Sequence, residues 1–379
     1  MTTAPAPLTT RARAILIALT LLALQVASLA APAYACGCGA MVPREGQRIA
    51  VNEETSAVRW DGRTEQIVMR LSVSGDGRDV AWVMPVPHRA SVELGDPDLF
   101  SALATQTEPE YRTRHYFWPR GHDWPFGGSG DGASAGAPAA TPSAGVNVVG
   151  REHLGPFDVA RLTATDPDDL ADWLADNGFR LPDRLDKALR PYVDRGWEYV
   201  AIRLSPENRE ATLGGRLDPL HLTFASDRLV YPMRLSRLAR NAQHLNLYVL
   251  ADHRMEPRSA IGGTRPEVTY AGRITETAGP LAELAGGERY LTALTQDFWT
   301  PSAIDGDHEL RRAPADTPYR TVVYSDELLT VGPDVPVWLL TLLGAALVLA
   351  VTATLLVLRA RRRRPVLPPP PVAVPPRLG

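Results

Sequence analysis

The densest group of aromatic residues in the chain lies between residues 111 and 126, bounded by turn-forming glycines and prolines. Tyr116, Trp118 and Trp124 stand close to Arg120 in this segment. Aromatic rings mixed with arginine are enriched among the residues that dominate recognition energetics, so this composition predicts a contact surface. Packing into the core is the alternative, because aromatic side chains also bury large apolar areas in protein interiors.

The two cysteines, Cys36 and Cys38, are the second group that could do chemistry. In an oxidising compartment they predict a short disulfide or a thiol pair. Two thiolates can also begin a chelate for a soft metal such as Cu(I) or Zn²⁺, but no histidine stands nearby to complete it. We therefore predict no metal and no cofactor.

Motifs for common hydrolytic and nucleotide chemistry are weak or missing. None of the eight histidines forms the His-x-x-x-His pair of zinc hydrolases. A phosphate-binding loop needs a lysine, and Lys187 is the only lysine in the chain. Carboxylates are abundant, and glycan hydrolysis needs only two of them at a set separation. A hydrolase that uses paired carboxylates therefore remains an alternative.

The N-terminus predicts export. Two arginines precede an apolar stretch from Ala14 to Leu24, and the segment ends in Ala33-Tyr34-Ala35, which together fit a secretory signal peptide. We predict a signal peptide over 1–35 and a mature chain that begins at Cys36. An uncleaved anchor helix and lipoprotein processing at Cys36 are the alternatives.

The C-terminal region predicts one membrane-spanning helix over 336–358, where no charged residue occurs. At about 1.5 Å per residue, a helix of this length crosses a hydrocarbon core of about 30 Å. An arginine cluster from Arg359 to Arg364 follows, and the positive-inside rule places that end in the cytoplasm. The sequence therefore predicts a type I single-pass protein of the cell membrane, with a cytoplasmic Arg/Pro-rich tail over 359–379.

Between these ends, the predicted ectodomain over 36–334 is acidic. Its 32 Lys and Arg residues face 43 Asp and Glu residues, which gives a net charge of −11. A nucleic-acid binder would show a basic surface instead, so no nucleic-acid partner is expected. The Gly-, Ala-, Ser- and Pro-rich stretch over 127–145 predicts a flexible insertion.

Apolar periodicity predicts a sheet-rich ectodomain. Ile67–Val73 and Val80–Met84 are separated by turn residues and predict a β-hairpin. Further strands are predicted over 157–162, 199–204, 220–224 and 245–250, and helices over 166–178, 183–190 and 290–299. The predicted fold class is α+β, a largely antiparallel or mixed β-sheet ectodomain with a few short helices, plus one transmembrane helix.

The block Ala81-Trp82-Val83-Met84-Pro85-Val86-Pro87 predicts a strand inside the sheet. Trp82 and Met84 alternate with Val83, and neither face carries polar side chains, which indicates burial on both sides. The prolines lack an N–H donor and therefore confine this segment to a strand end or edge.

Several motifs make the chain resemble a bacterial family, the domain of unknown function 2330. The most specific is the block just described, and further motifs are Gly46-Gln47-Arg48-Ile49, Asn177-Gly178-Phe179-Arg180-Leu181-Pro182, Gly196-Trp197-Glu198-Tyr199-Val200-Ala201 and Tyr231-Pro232-Met233-Arg234-Leu235-Ser236. The resemblance covers most of the ectodomain. It implies an exported, often membrane-anchored protein with no established activity, so it transfers no catalytic residue to this chain.

Topology signals without a clear catalytic motif predict a membrane-anchored, surface-exposed module of the cell envelope that binds a partner or has a structural role without catalysis. The expected partner is an unidentified protein or an envelope polymer. The alternative is the envelope hydrolase with paired carboxylates.

Overall fold

The computed structural model describes residues 35–36, 39–124, 153–154, 157–162, 167–205, 212–332 and 335–362. The predicted signal peptide apart from Ala35, the predicted insertion over 127–145 and the tail beyond Arg362 lie outside these residues. The described chain divides into two compact units. The large unit contains the residues up to 109 and those from 153 to 321, and the small unit contains 110–124 and 322–362.

The strands cover the following residues in chain order. They begin with β1 Ala35–Cys36, β2 Gly39–Pro43, β3 Ile49–Trp60, β4 Thr64–Gly75, β5 Val80–Val86, β6 Ser91–Leu94, β7 Glu110–Tyr116 and β8 His153–Leu154. They continue with β9 Phe157–Leu162, β10 Glu198–Leu204, β11 Gly215–Arg216, β12 Leu220–Ala225, β13 Leu229–Tyr231, β14 Gln243–Ala251, β15 Met255–Pro257 and β16 Glu267–Arg273. The last are β17 Tyr290–Phe298, β18 His308–Arg312, β19 Tyr319–Arg320, β20 Val322–Leu328, β21 Thr330–Val331 and β22 Val335–Pro336.

Five α-helices accompany these strands in the described chain: α1 Leu99–Gln106, α2 Pro167–Asp176, α3 Asp183–Val193, α4 Pro280–Ala285 and α5 Val337–Arg362. Short 3₁₀ turns cover Gly121–Asp123, Arg234–Leu238 and Pro301–Ala303.

Two large sheets form the frame of the large unit. One has six strands in the order β1-β2-β5-β10-β9-β8, and the other has the order β19-β16-β17-β14-β3-β4-β12-β6, with β11 also paired to β4. A smaller sheet has the order β13-β18-β15. The six-stranded sheet is antiparallel throughout, whereas β14 runs parallel to β3 in the second sheet. These mixed sheets with short helices confirm the predicted α+β class.

Three apolar clusters give the large unit four layers. Between the two large sheets, Trp82 and Met84 belong to the same cluster as Ile67 and Met69. The outer face of the six-stranded sheet is covered by α2 and α3, through Ala81, Val83, Leu170, Leu174, Leu185 and Leu189. The outer face of the second sheet is covered by α1 and α4, through Ala57, Val68, Leu99, Leu103 and Leu281. Each large sheet is therefore buried on both faces.

The structure confirms the two-sided burial that was predicted for the block in β5. Trp82 and Met84 face the cluster between the sheets, while Val83 faces the helices. On one side, β10 pairs with the whole of β5, but on the other side β2 pairs only with residues 80–83. Pro85 therefore lies where β5 has a single neighbouring strand, as a residue without an N–H donor requires.

The predicted hairpin of Ile67–Val73 with Val80–Met84 is wrong. β4 pairs with β3 and β12, whereas β5 pairs with β2 and β10 in the other sheet. The turn between them is closed by Asp76 and Gly77, whose backbone N–H groups donate to the carbonyl oxygen of Arg48. The segment therefore carries the chain from one sheet to the other.

The predicted helix over 290–299 is also wrong, because this segment forms β17. Strand β17 lies between β14 and β16, and most of its side chains are buried. Its buried residues include the polar Thr292 and Gln296, so apolar and polar residues do not alternate strictly, and periodicity alone does not distinguish a short helix from an interior strand here.

The other helix predictions are confirmed with small changes at the ends. Gly178, just after α2, has a φ of 78°, the left-handed conformation expected at a helix exit. Helix α3 continues through Pro191 to Val193, beyond its predicted end at residue 190. The predicted strands near 157, 199, 220 and 245 correspond to β9, β10, β12 and β14.

The small unit combines a parallel strand pair with the apolar helix. β7 runs parallel to β20, and β21 pairs with β22 immediately before α5. Among the described residues, α5 is the one helix long and apolar enough to cross a membrane. It ends at Arg362, later than the predicted 358, because arginine has a high helix propensity and its charge is favourable at a helix C-terminus.

Candidate functional site

The large unit contains a cleft of about 350 Å³ with an apolar floor and a charged rim. It lies where β14 ends and β17 begins, since Ala251 pairs with Tyr290. The apolar lining comprises Trp60, Leu229, Ala251, Met255 and Leu310. The lining residues with ionisable side chains are Asp61, Asp227, Arg228, Asp252, His253, Arg258, Glu288, Arg311 and Arg312. Small-molecule sites have volumes of about 300–1,000 Å³ and a similar mixture of side chains.

Asp252 and Glu288 form a carboxyl pair in this cleft. Asp252 directly follows β14, and Glu288 lies just before β17, so the antiparallel pairing of these strands brings both residues to one end of the sheet. Glu288 is buried, with 7% of its surface exposed, whereas Asp252 is exposed. The backbone N–H of Glu288 donates to the carbonyl oxygen of Ala285 at 2.8 Å, which fixes its position after α4.

The pKa of Glu288 is raised to about 7, mainly by burial, because a desolvated carboxylate is disfavoured. The hydrogen bond with Asp252 and the negative charge of Asp252 contribute to the same rise, while the charge of Arg59 acts in the opposite direction. A carboxyl group that titrates near neutral pH can both donate and accept a proton. The pair is therefore equipped for proton exchange with a bound molecule.

The rim of the cleft contains arginines with and without ion-pair partners. Arg228 donates from Nε to Oδ1 of Asp227 at 3.0 Å, and Arg311 donates to Glu256 at 2.9 Å. Arg258 and Arg312 are exposed and make no ion pair within the described part of the chain. Their guanidinium groups are therefore available to an anionic ligand.

His253, which lines the cleft, is paired with an aspartate outside the lining. Nδ1 of His253 lies 2.8 Å from Oδ2 of Asp316, and the backbone N–H of Arg254 donates to Oδ1 of Asp316 at 2.9 Å. The His253 hydrogen bond is the main reason that the pKa of Asp316 is lowered. His244, near the start of β14, pairs with Asp297 at 2.6 Å instead.

A second cavity of about 380 Å³ adjoins the first, since Asp227 and Arg228 line both. Its other lining residues are Pro87, His88, Arg195, Gly196, Trp197 and Glu309. Pro87 and His88, which follow β5, therefore border this cavity, whereas β5 itself is buried in the core.

The four residues predicted as a contact surface lie in the small unit, at the end of β7 and in the loop that follows it. Tyr116 and Arg120 are in contact, with the guanidinium carbon 4.1 Å from the ring centre. Trp118 is 60% exposed and Trp124 is 48% exposed, so core packing does not account for them. Trp124 instead contacts Trp338, with ring centres 5.4 Å apart. Their role in binding stays a prediction.

The predicted disulfide or thiol pair lies largely outside the described residues. The backbone of Cys36 belongs to β1 and pairs with Gly39, but Cys38 is not among the described residues. Within the described ranges, no group of three or more His, Cys, Asp and Glu side chains is placed to hold a metal ion.

The carboxyl pair was missed by the sequence analysis. Asp252 and Glu288 are separated by 36 positions, and only the pairing of β14 with β17 brings them together. The segment of Glu288 was also predicted to lead into a helix, which hid the strand pairing. The two glycines before Glu288 mark a turn but indicate no chemistry.

Comparison with protein families identifies the chain. The model of a family described as an uncharacterized protein conserved in bacteria, DUF2330, matches residues 32–311. The chain belongs to this family. The match confirms the resemblance that was based on the β5 block and the accompanying motifs. It includes β14, β17 and both carboxyl groups, and ends before the small unit's apolar helix.

Comparisons with curated proteins and solved structures add little. The chain has no match among curated proteins. It is similar to the crystal structure of baculovirus P35, with 11% identity and a TM-score of 0.30 over 73% of this chain and 97% of that chain. This similarity is too low to assign a shared fold or function.

Proposed function

We propose that this chain is a single-pass protein of the cell envelope whose large unit binds an acidic sugar unit of an envelope polymer. The observation that carries the proposal is the cleft beside Glu288, which combines an indole, a carboxyl pair and two arginines that make no ion pair with the described residues. Each of these groups recognises a different part of an acidic sugar.

The indole of Trp60 supplies the apolar surface. Its Nε1 donates to the carbonyl oxygen of Ser226 at 3.1 Å, which fixes the ring against the cleft. A fixed aromatic face packs well against the C–H face of a sugar ring. The Asp252–Glu288 pair can accept or donate hydrogen bonds to hydroxyl groups, and Arg258 or Arg312 can bind the sugar carboxylate with charge-assisted hydrogen bonds.

Titration calorimetry on the full-length, detergent-solubilised protein tests this proposal with an oligomer of glucuronic acid. A neutral glucose oligomer of equal length is the control ligand, and it should bind more weakly. Arg312→Ala should weaken binding of the acidic oligomer at least about tenfold, since a hydrogen bond to a charged group contributes about 1.5–3 kcal/mol. Arg237→Ala removes an exposed arginine outside the cleft and should leave binding unchanged. Equal affinity for both oligomers would refute the proposal.

A second candidate function is hydrolysis by the carboxyl pair, and the pKa of Glu288 near 7 favours it. Retaining and inverting glycosidases hold their carboxyl groups about 5–9.5 Å apart, farther than two groups joined by a hydrogen bond. A pair that shares a proton instead resembles the arrangement in aspartic proteases. If Glu288→Gln abolishes product release from an envelope polymer but preserves binding, the protein is a hydrolase. Binding without product release by the unaltered protein supports the binding module.

The proposed orientation places the large unit outside the cell and the arginine-rich end inside. The supporting observation is the position of Arg359, Arg361 and Arg362 in the last turn of α5. In a chain whose two cysteines are replaced with serine, Ser259→Cys should react with a membrane-impermeant thiol reagent on intact spheroplasts, and Ala373→Cys should not. The reverse labelling pattern would overturn the orientation.

A further inference from the structure

The loop that follows β7 in the small unit carries exposed aromatic rings next to the start of the apolar helix. Trp124, the last residue of this loop that the structure describes, contacts Trp338 in the first turn of α5, with ring centres 5.4 Å apart and planes inclined by 55°. Near the other end, Trp118 packs edge-on against Phe117 at 5.0 Å. These residues are more than 200 positions from α5 in sequence, so the fold alone brings them to the helix.

The position of Trp338 along α5 fixes the depth of this contact when the helix spans a bilayer. The interval from Trp338 to Arg359 is 21 residues. At about 1.5 Å per residue this corresponds to about 31 Å, which matches a hydrocarbon core of about 30 Å. With Arg359 at one interface, Trp338 lies at the other, where tryptophan is enriched in membrane proteins. Its neighbour Trp124 then lies at the same level.

Hydrogen bonds give the loop a defined conformation. Oδ2 of Asp123 accepts a hydrogen bond from the hydroxyl of Tyr116 at 2.5 Å and another from the backbone N–H of Arg120 at 2.8 Å. The backbone N–H of Asp123 donates to the carbonyl oxygen of Arg120 at 2.8 Å. Nη1 of Arg120 also lies 3.1 Å from Asp326 on β20. The aromatic rings therefore project from a turn that is held in place by hydrogen bonds.

A chain of backbone hydrogen bonds also ties the loop to the first residue of the helix. The N–H of Leu329 donates to the carbonyl oxygen of Tyr116 at 2.9 Å. The carbonyl oxygen of Leu329 in turn accepts a hydrogen bond from the N–H of Val337 at 2.9 Å. Two consecutive backbone hydrogen bonds thus hold the start of the loop close to the start of α5.

We propose that the loop over 117–124 is a membrane-interface anchor, whose rings insert among the lipid headgroups at the outer end of α5. Trp118 and Trp124 expose 60% and 48% of their surfaces, and an indole is favoured at the boundary between lipid and water. Both Arg114 and Arg120 lie within 3.1 Å of Asp326, and the carboxylate of Asp123 lies in the same turn as Arg120, so two negative charges balance the two positive charges. The partner is therefore the interface of the bilayer itself, with no requirement for anionic lipid. The inference rests on the proposed membrane anchoring by α5.

Spin labels measure the depth of this loop in the full-length protein reconstituted into phosphatidylcholine vesicles. Labels are attached to Trp118→Cys and, separately, to Trp124→Cys, in a chain whose two native cysteines are replaced with serine. The control label at Trp299→Cys replaces a tryptophan of the large unit that is 79% exposed. The reference label at Ala345→Cys lies within α5, between Trp338 and Arg359. Oxygen partitions into lipid and a nickel chelate stays in water, so their relative accessibility reports the depth of each label.

We expect the labels at positions 118 and 124 to be more accessible to oxygen, relative to the nickel chelate, than the label at 299. Their relative accessibility should lie between that of the label at 299 and that of the label at 345. This result should be the same when a fraction of the lipid is phosphatidylglycerol. If both labels match the control at 299 while the label at 345 reports lipid, the loop lies in water or serves a protein partner, and the inference fails alone. If the label at 345 also reports water, α5 does not span the bilayer and the proposed anchoring fails as well.

A second measurement keeps the native rings. Lipids brominated near the headgroup end of their chains quench nearby indoles. The quenched fraction of the emission should fall in Trp124→Phe and Trp118→Phe and should not fall in Trp299→Phe. An unchanged quenched fraction in the first two variants, with a loss in Trp338→Phe, would overturn the inference.

Discussion

The hydroxyl of Tyr192 donates a 2.6 Å hydrogen bond to Oδ1 of Asp307 and thereby joins α3 to the segment before β18. The same oxygen accepts the backbone N–H groups of Met233 and Arg234, each at 3.0 Å. Arg195 lies 3.4 Å from the other carboxylate oxygen. One buried carboxylate therefore satisfies donors from two separate segments of the large unit, 192–195 and 233–234.

Asp307→Ala should destabilise the large unit by about 3 kcal/mol or more, because it leaves several buried donors unsatisfied at about 1–3 kcal/mol each. Tyr192→Phe removes only one of these hydrogen bonds and should cost about 1 kcal/mol. Chemical denaturation of the two variants beside the unaltered protein measures the difference. Equal losses would show that Asp307 does not organise the backbone of the 3₁₀ turn.

The stability of the protein should depend on the ionisation of Glu288. Burial and the Asp252 hydrogen bond raise the pKa of Glu288 from 4.5 to about 7, so the folded state holds this proton more tightly than the unfolded state does. The stabilisation from this group is therefore complete below about pH 4.5 and is lost as the pH rises through about 7. Glu288→Gln cannot ionise and should not show this loss.

Thermal melting over this pH range measures the effect. The melting temperature of Glu288→Gln, relative to the unaltered protein, should increase as the pH rises from about 4.5 to above about 7. Glu283→Gln is the matched control, because Glu283 is an exposed glutamate on α4 outside the cleft. Parallel pH profiles for the Glu288 variant and the unaltered protein would contradict the burial of this carboxyl group.

A side chain at Gly39 in β2 should destabilise the protein. A Cβ at this position would lie 2.6 Å from Nε1 of Trp82 and 2.7 Å from the backbone carbonyl oxygen of Val83. The backbone of β5 cannot move away from this contact without disturbing the core, so Gly39→Ala should cost about 1–3 kcal/mol. Gly214→Ala is the control, since a Cβ there meets nothing within 4 Å. Unfolding free energies of the two variants should differ accordingly.

Local patterns predicted six of the 22 strands in the described chain and the helices with strong end signals, but they did not predict which strands pair. β4 and β5 were predicted to form one hairpin because both are apolar and a turn lies between them. In the structure they belong to different sheets, where β4 pairs with β3 and β5 pairs with β10. The β17 segment was predicted as a helix for a related reason, since two-sided burial removes the alternation that identifies a strand.

The difference between local patterns and long-range pairing also explains which candidate site was predicted from the sequence and which was not. The aromatic loop is contiguous in sequence, so composition pointed to Trp118 and Trp124 directly. The carboxyl pair depends on the long-range pairing of β14 with β17, which local patterns do not encode. The raised pKa of Glu288 also depends on burial, and burial follows from the assembled cleft.

Trp82 and Trp124 allow one substitution to be compared in two opposite environments. Trp82 is fully buried between the two large sheets, whereas Trp124 is 48% exposed in the small unit. Trp82→Ala should cost about 3–5 kcal/mol, because removal of the indole leaves a cavity that the packed sheets cannot close. His88→Ala, just past the same block, should change stability by less than about 0.5 kcal/mol, since His88 is exposed.

Trp124→Ala should cost clearly less than Trp82→Ala in detergent solution, because about half of its surface is already exposed. Denaturant midpoints measured by far-UV circular dichroism allow the comparison, because this signal does not depend on the indoles that are removed. A loss at Trp124 as large as that at Trp82 would show that Trp124 is a core residue of the small unit. The membrane-interface anchor would then have to rest on Trp118 alone, which lacks the direct contact with Trp338.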